Sequence, residues 1–250
     1  MRKTDIKAVD PLLSLVLLTR LPLPPLARES FSRQARAVWA FPLAGLVVGT
    51  LASLSGLLAL CWWPPLVAAG LALSVQVLVT GALHEDGLAD TADGFWGGFE
   101  RARRLEIMKD SHIGSYGVLA LILGIGLRWA ALTALFDAGL VWAPVALGVL
   151  SRAAMPVLMA SLPNARGSGL SQSVGRPPRG AVLTGLALAL VLAYLAIGWS
   201  ALPAALLCAP LVLGLRALAK AKIGGQTGDV LGACQQVTEL GAALALLALL

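Results

Sequence analysis

Three aspartates, Asp86, Asp90 and Asp93, recur at positions i, i+4 and i+7. At about 100° per residue, this spacing holds all three carboxylates within roughly a 60° arc of one helix face. Stacked like charges raise one another's pKa or fray the helix unless a cation neutralises them. Mg²⁺ suits the set, because it takes oxygen ligands, keeps several waters and bridges to substrate phosphates. Zinc does not, with only two His in the chain and no Cys nearby. The spacing of a calcium-binding loop is absent as well. Seven of the 13 acidic residues lie between Glu85 and Asp110. That concentration makes a merely solvated helix end the weaker reading.

The flanking residues extend the chemistry. Trp96-Gly97-Gly98 is followed by Arg101, Arg103, Arg104, Lys109 and Asp110, then by a second glycine-rich stretch ending at Gly117. Glycines let a backbone approach a ligand closely, and Lys109 with the arginines can hold phosphate. Taken alone, these basic residues read as topology signals. Two later loops have a similar character: Pro163 to Gly169, with Arg166, and Gly224 to Asp229, with Thr227 and Asp229. Thr227 and Asp229 suit either an N-cap of the last helix or a shared site with the Asp cluster. Arg104, Asp110, Thr227 and Asp229 are candidate substrate-binding residues.

The elements that must position these residues lie in a membrane. The chain has 250 residues, 58% hydrophobic and 13% charged, with a mean hydropathy of +0.83. Soluble domains run nearer a quarter charged. The apolar runs are continuous rather than alternating, which excludes a barrel and predicts an all-α polytopic bundle. Seven stretches qualify as spans of about 20 residues: 37–61, 65–83, 115–136, 140–162, 181–199, 201–219 and 230–250. The Asp cluster is expected to continue the second span. The run Leu12–Leu18 is too short to cross and predicts an interfacial or re-entrant helix. No cleavage site follows it, so it is expected to be retained.

The connections alternate between short, nearly chargeless loops and long basic ones. Seventeen of the 19 basic residues fall on one side, which the positive-inside rule makes cytoplasmic. The same distribution explains the net charge of +6 without nucleic acid. Trp residues mark the opposite loops. Arg128, Arg152 and Glu239 fall within spans and face the interior, in a structural or functional pair. Gly45 and Gly49 read as close helix packing. Cys61, Cys208 and Cys234 are isolated small residues of the bundle. The whole chain, 1–250, reads as one membrane enzyme domain for phosphoryl or pyrophosphate chemistry at a cytoplasmic surface.

The stretch from His84 through Asp86, Asp90 and Asp93 to Gly94 closely resembles the signature of the cobalamin synthase family, the adenosylcobinamide-GDP ribazoletransferases. So does Leu105 to Gly117. Supporting likenesses are Leu18-Thr19-Arg20-Leu21-Pro22, Pro163 to Arg166 and Gly225 to Asp229, so the resemblance covers nearly the whole chain. It implies an Mg²⁺-dependent, multi-pass enzyme of the bacterial inner membrane. Adenosylcobinamide-GDP and α-ribazole, or its 5′-phosphate, would give adenosylcobalamin, or its 5′-phosphate, and GMP. Asp86, Asp90 and Asp93 would hold the metal, His84 or Glu85 would accept the alcohol proton, and Lys109 and Arg166 would clamp charge. A homo-oligomer is compatible with this. The alternatives are another Mg²⁺-dependent membrane transferase, such as a CDP-alcohol phosphotransferase or an aromatic prenyltransferase, and a transporter. The usual Asp spacings of the first group differ, and a transporter would gather polar residues at the bilayer midplane.

Overall fold

The computed structural model describes residues 6–250; the basic residues Arg2 and Lys3 lie outside the described residues. The chain is helical: α1 Val9–Leu18, α2 Gln34–Ala37, α3 Phe41–Leu60, α4 Pro65–Thr80, α5 Leu83–Gly97, α6 Arg101–Ile107, α7 Ser115–Asp137, α8 Ala143–Ser161, α9 Leu170–Val174, α10 Arg179–Ile197, α11 Ala201–Ile223 and α12 Gly228–Leu247. Among the described residues the only strand-like pairing is a single parallel bridge between Asn164 and Gln226.

Five helical segments are long and apolar enough to cross a membrane, or six when the bent pair Pro65–Thr80 and Leu83–Gly97 counts as one span. One of the five, Arg179–Ile223, is broken at Gly198, whose φ of 64° no continuous helix accepts. The resulting α10 and α11 form a hairpin. Gly185 of α10 lies against Trp39, near the basic N-terminal segment, and Lys222 of α11 returns to the basic loop at Arg104. Seven helices therefore stand where the seven spans were expected. Their outward faces carry exposed Leu58, Leu78, Leu123, Leu195 and Leu206, side chains that only a lipid surface accommodates in such numbers. The protein is a multi-pass membrane protein.

The expectation that the second span runs straight into the Asp cluster is corrected. Helix α4 stops at Gly81 and Ala82, with φ of 63° and 57°. The N–H groups of these residues bond back to the carbonyls of Leu78 and Val77, which closes the helix end. Helix α5 leaves at 85°. It holds five acidic or imidazole side chains in its 15 residues and is too polar to span a bilayer itself. It is instead wedged between α7 and α12.

Small residues allow the close crossings. A Cβ on Gly45 would collide with the Gly148 backbone of α8, and one on Gly49 would lie 2.5 Å from the Pro144 carbonyl oxygen. This is the packing read from that glycine pair. The short α1 folds onto the end of α3, held by Asp10. Its buried carboxylate pairs with Arg33 at 3.1 Å and accepts the Trp39 indole N–H at 3.0 Å.

The bundle interior is also more polar than the sequence pattern suggests. Arg128 donates to four acceptors on three helices: Glu85 at 2.9 Å, Gln236 at 2.7 Å, Gln76 at 2.8 Å and Glu239 at 2.7 Å. Glu239 also bonds Gln235 and Ser151, and Arg152 stands 4.0 Å from it. The two Arg and two Glu neutralise one another, as burial in low dielectric requires. The Arg–Glu239 pair foreseen from sequence thus belongs to a larger network that ties α4, α5, α7, α8 and α12 together.

Candidate active site

The site is built where α5, the 163–171 segment and the start of α12 meet. Helix α5 touches α12 through glycine on both sides. A Cβ on Gly87 would lie 2.8 Å from the Asp229 carbonyl oxygen, and one on Gly232 would lie 3.2 Å from the Gly87 Cα. No larger residue lets the two helices approach so closely, and the approach sets Asp229 beside Asp86 and Asp90.

The two later loops converge as expected. Ala165 N–H donates to the Gln226 carbonyl at 2.8 Å, and Gln226 N–H to the Pro163 carbonyl at 2.9 Å. Ser171 Oγ donates to Gln226 Oε1 at 2.6 Å and accepts from Asn164 Nδ2 at 2.9 Å. Asn164 Oδ1 in turn accepts the N–H groups of Arg166 and Gly167. These bonds place Arg166 Nη2 2.8 Å from Asp229 Oδ2. The contact is an ion pair without hydrogen-bond alignment, and Arg166 Nε is buried with no partner. Thr227 caps α12, accepting the Val230 N–H at 3.3 Å, while its hydroxyl lies 3.2 Å from Asp229 Oδ2. Thr227 thus serves as the cap, and Asp229 lines a cavity.

A cavity of about 160 Å³ opens here. Asp86 and His84 of α5, Arg166 and Asp229 of α12 are among its lining residues. The lining contributed by α1, α3 and α8 is apolar: Leu17, Leu18, Phe41, Met155 and Met159. Sequence reading missed this wall. Its one signal was the short apolar run of α1, read as a membrane-surface element when its far end closes the cavity.

The three motif aspartates do not act alike. Asp86 is exposed and Asp90 half-buried. Burial first, then the charges of Asp229 and Asp86, push the Asp90 carboxyl up to about 7, with Arg166 acting against the shift. Asp93 is turned the other way. It is 6% exposed, and its two oxygens accept the N–H groups of Gly114 at 2.7 Å and Gly117 at 2.8 Å at the start of α7. Among the described residues, no three His, Cys, Asp or Glu side chains are grouped so as to hold a metal ion by themselves.

Other expected site residues lie elsewhere. Glu85 faces the interior, bonded to Arg128 and Gln236. Arg104 joins loops, donating to the carbonyls of Gly98 and Lys222. Lys109 is exposed on a separate surface with Arg103 and Glu106. Asp110 bonds His112 at 2.7 Å in solvent, which lowers the carboxyl pKa and raises that of the imidazole. His84 remains at the cavity, 1% exposed, with Nε2 unpartnered.

Comparison with known proteins identifies the family. Residues 10–247 match the family model described as cobalamin-5-phosphate synthase. The adenosylcobinamide-GDP ribazoletransferase of Bradyrhizobium diazoefficiens is 50% identical over 212 residues, which is 82% of this chain and 80% of that protein. Proteins of the same name are 46% identical in a Sinorhizobium species, over 91% of both chains, and 44% identical in Rhizobium etli, over 96% of both. No solved structure matches. Matched by the family model over nearly its whole length and by relatives of 44–50% identity, the chain belongs to the cobalamin-5-phosphate synthase family.

Proposed function

We propose that this chain is an Mg²⁺-dependent adenosylcobinamide-GDP ribazoletransferase, a single-domain enzyme of the bacterial inner membrane whose cavity opens to the cytoplasm. The carrying observation is the cavity that gathers Asp86, Arg166 and Asp229, in a chain matched to relatives of that name over most of its length. The cytoplasmic orientation rests on the basic loops that surround the cavity.

The residues fit a divalent cation. Burial first, and then the charges of Asp229 and Asp86, raise Asp90, and Arg166 is the cation that offsets them. Among the described residues no three His, Cys, Asp or Glu side chains stand together to enclose a metal by themselves. That suits Mg²⁺, which characteristically takes one or two carboxylates and completes its shell with water and substrate phosphates. We assign the ligand role to Asp86 and Asp90, with Asp229 alongside, and give Asp93 the task of anchoring α7 against α5.

When bound, Mg²⁺ would neutralise the diphosphate and the departing GMP. Arg166 offers its unpartnered Nε to a phosphate oxygen, oriented by Asp229. The ribazole alcohol attacks the phosphorus nearer the corrinoid, that phosphorus loses its bond to the bridging oxygen, and GMP leaves. Of the two expected acceptors for the alcohol proton, His84 belongs to the cavity lining and has a ring nitrogen without a partner, whereas Glu85 is held by Arg128. Purified protein given adenosylcobinamide-GDP, α-ribazole and Mg²⁺ should release GMP and form the joined corrinoid. Absence of GMP in a protein that is folded and metal-loaded would overturn the proposal.

A further inference from the structure

We infer that the apolar half of the cavity seats the benzimidazole base of the ribazole acceptor, with its sugar directed toward Asp86, Arg166 and Asp229. The inference rests on the transferase reading above and adds which substrate, and which part of it, the cavity takes.

The cavity lining is divided by element. The charged groups come from α5, the 163–171 segment and the start of α12; the wall from α1, α3 and α8 is Leu17, Leu18, Phe41, Met155 and Met159. Phe41, Leu18, Met155 and Met159 are each at most 5% exposed, so this wall is set by the packing of α1, α3 and α8. Its size selects the guest. A cavity of about 150 Å³ lined by aliphatic side chains accepts a benzene ring, so about 160 Å³ in all is on the scale of a small flat ring seated with its substituents at the mouth. A corrin macrocycle is excluded.

Both substrates carry flat bases, and hydrogen bonding separates them. Guanine and adenine have amino or ring N–H donors and several acceptors, which this wall would strand unpaired at a cost of about 1–3 kcal/mol each. A benzimidazole joined to ribose has no N–H donor and a single ring acceptor, so an apolar slot suits it. The two methionines add polarizable sulfur against an aromatic face. The sugar of a base seated there emerges at Asp86 and Arg166, where a diphosphate ester can be met. The corrinoid half of the donor stays outside the cavity, at its mouth.

The test enlarges the slot and the guest together. α-Ribazole and a riboside with a third fused ring, a naphthimidazole, are compared as acceptors for wild type, Met159→Ala and Leu170→Ala. Leu170 lines the cavity but is 46% exposed, so trimming it leaves the core intact should Met159→Ala fail to fold. The ratio of kcat/KM for the naphthimidazole to that for ribazole should rise at least about 10-fold in a variant, the scale of one or more methylenes in a pocket. The KM for adenosylcobinamide-GDP should stay within about twofold. An unchanged ratio in folded, active variants overturns the inference, as does a rise confined to the KM of adenosylcobinamide-GDP, which would place guanine in the slot. Loss of GMP release from wild type itself would instead overturn the transferase reading.

Discussion

Asp93 Oδ1 accepts the backbone N–H of Gly117 at 2.8 Å, which fastens the end of α5 to the first turn of α7. A Cβ on Gly117 would collide with the same carboxylate, and one on Gly114 would lie 2.5 Å from it. The glycines of this motif therefore make room for Asp93. The expected consequence is structural. Asp93→Asn replaces one acceptor with a donor facing a helix N-terminus, and should lower stability by about 1–2 kcal/mol. Thermal unfolding in detergent measures this. An unchanged midpoint would return Asp93 to the metal.

Asp86→Asn and Asp90→Asn should behave in the opposite way. Each keeps the side-chain volume and loses the charge that attracts a hard cation. GMP release should drop on the order of 10²-fold or more, with the unfolding midpoint unchanged or raised for Asp90→Asn, since that change removes a repelled carboxylate. EDTA should silence the wild type. Near-normal turnover of Asp90→Asn at low Mg²⁺ would sink the metal assignment.

Arg166→Lys keeps the positive charge and loses the planar fork. Its KM for adenosylcobinamide-GDP should rise by roughly 10-fold while the protein purifies normally. Because Arg166 and Asp229 form an ion pair, Arg166→Lys combined with Asp229→Asn should cost less than the sum of the single changes. Full additivity would mean that the two side chains act independently.

Gly87→Ala adds one methyl 2.8 Å from the Asp229 carbonyl oxygen. The neighbour is backbone, so α5 and α12 must separate. Overpacking of this kind costs about 1–3 kcal/mol, and the displaced Asp229 should reduce activity further. Gly126, where an added Cβ meets nothing within 4 Å, is the control. Equal activity of Gly87→Ala and Gly126→Ala would show that the close crossing does not shape the site.

Native Cys61 is exposed at the Trp62–Trp63 end of the bundle, whereas Cys208 and Cys234 are buried. In sealed vesicles of known orientation, an impermeant thiol reagent should reach Cys61 from the periplasmic side. Gln172→Cys, exposed on α9, should react from the cytoplasmic side. Labelling of both positions from one side would reverse the topology argument.

The amino-acid sequence determined the membrane bundle by itself. A 20-residue apolar run has one low-energy solution in lipid, so spans such as 115–136 and 140–162 lie within three residues of α7 and α8 at each end. Local patterning likewise located the acidic stretch and the two loops that meet it. It could not assign individual carboxylates. Helical arithmetic put Asp86, Asp90 and Asp93 on one face, but that face is divided between neighbours: Asp93 meets the bare N–H groups of α7, and Asp86 meets the cavity. The burial of Glu85 under Arg128, the pairing of Arg166 with Asp229 and the apolar wall from α1 and α8 all join residues far apart in the chain. Periodicity records which face of a helix is apolar or charged; which neighbour that face meets is fixed only when the helices pack.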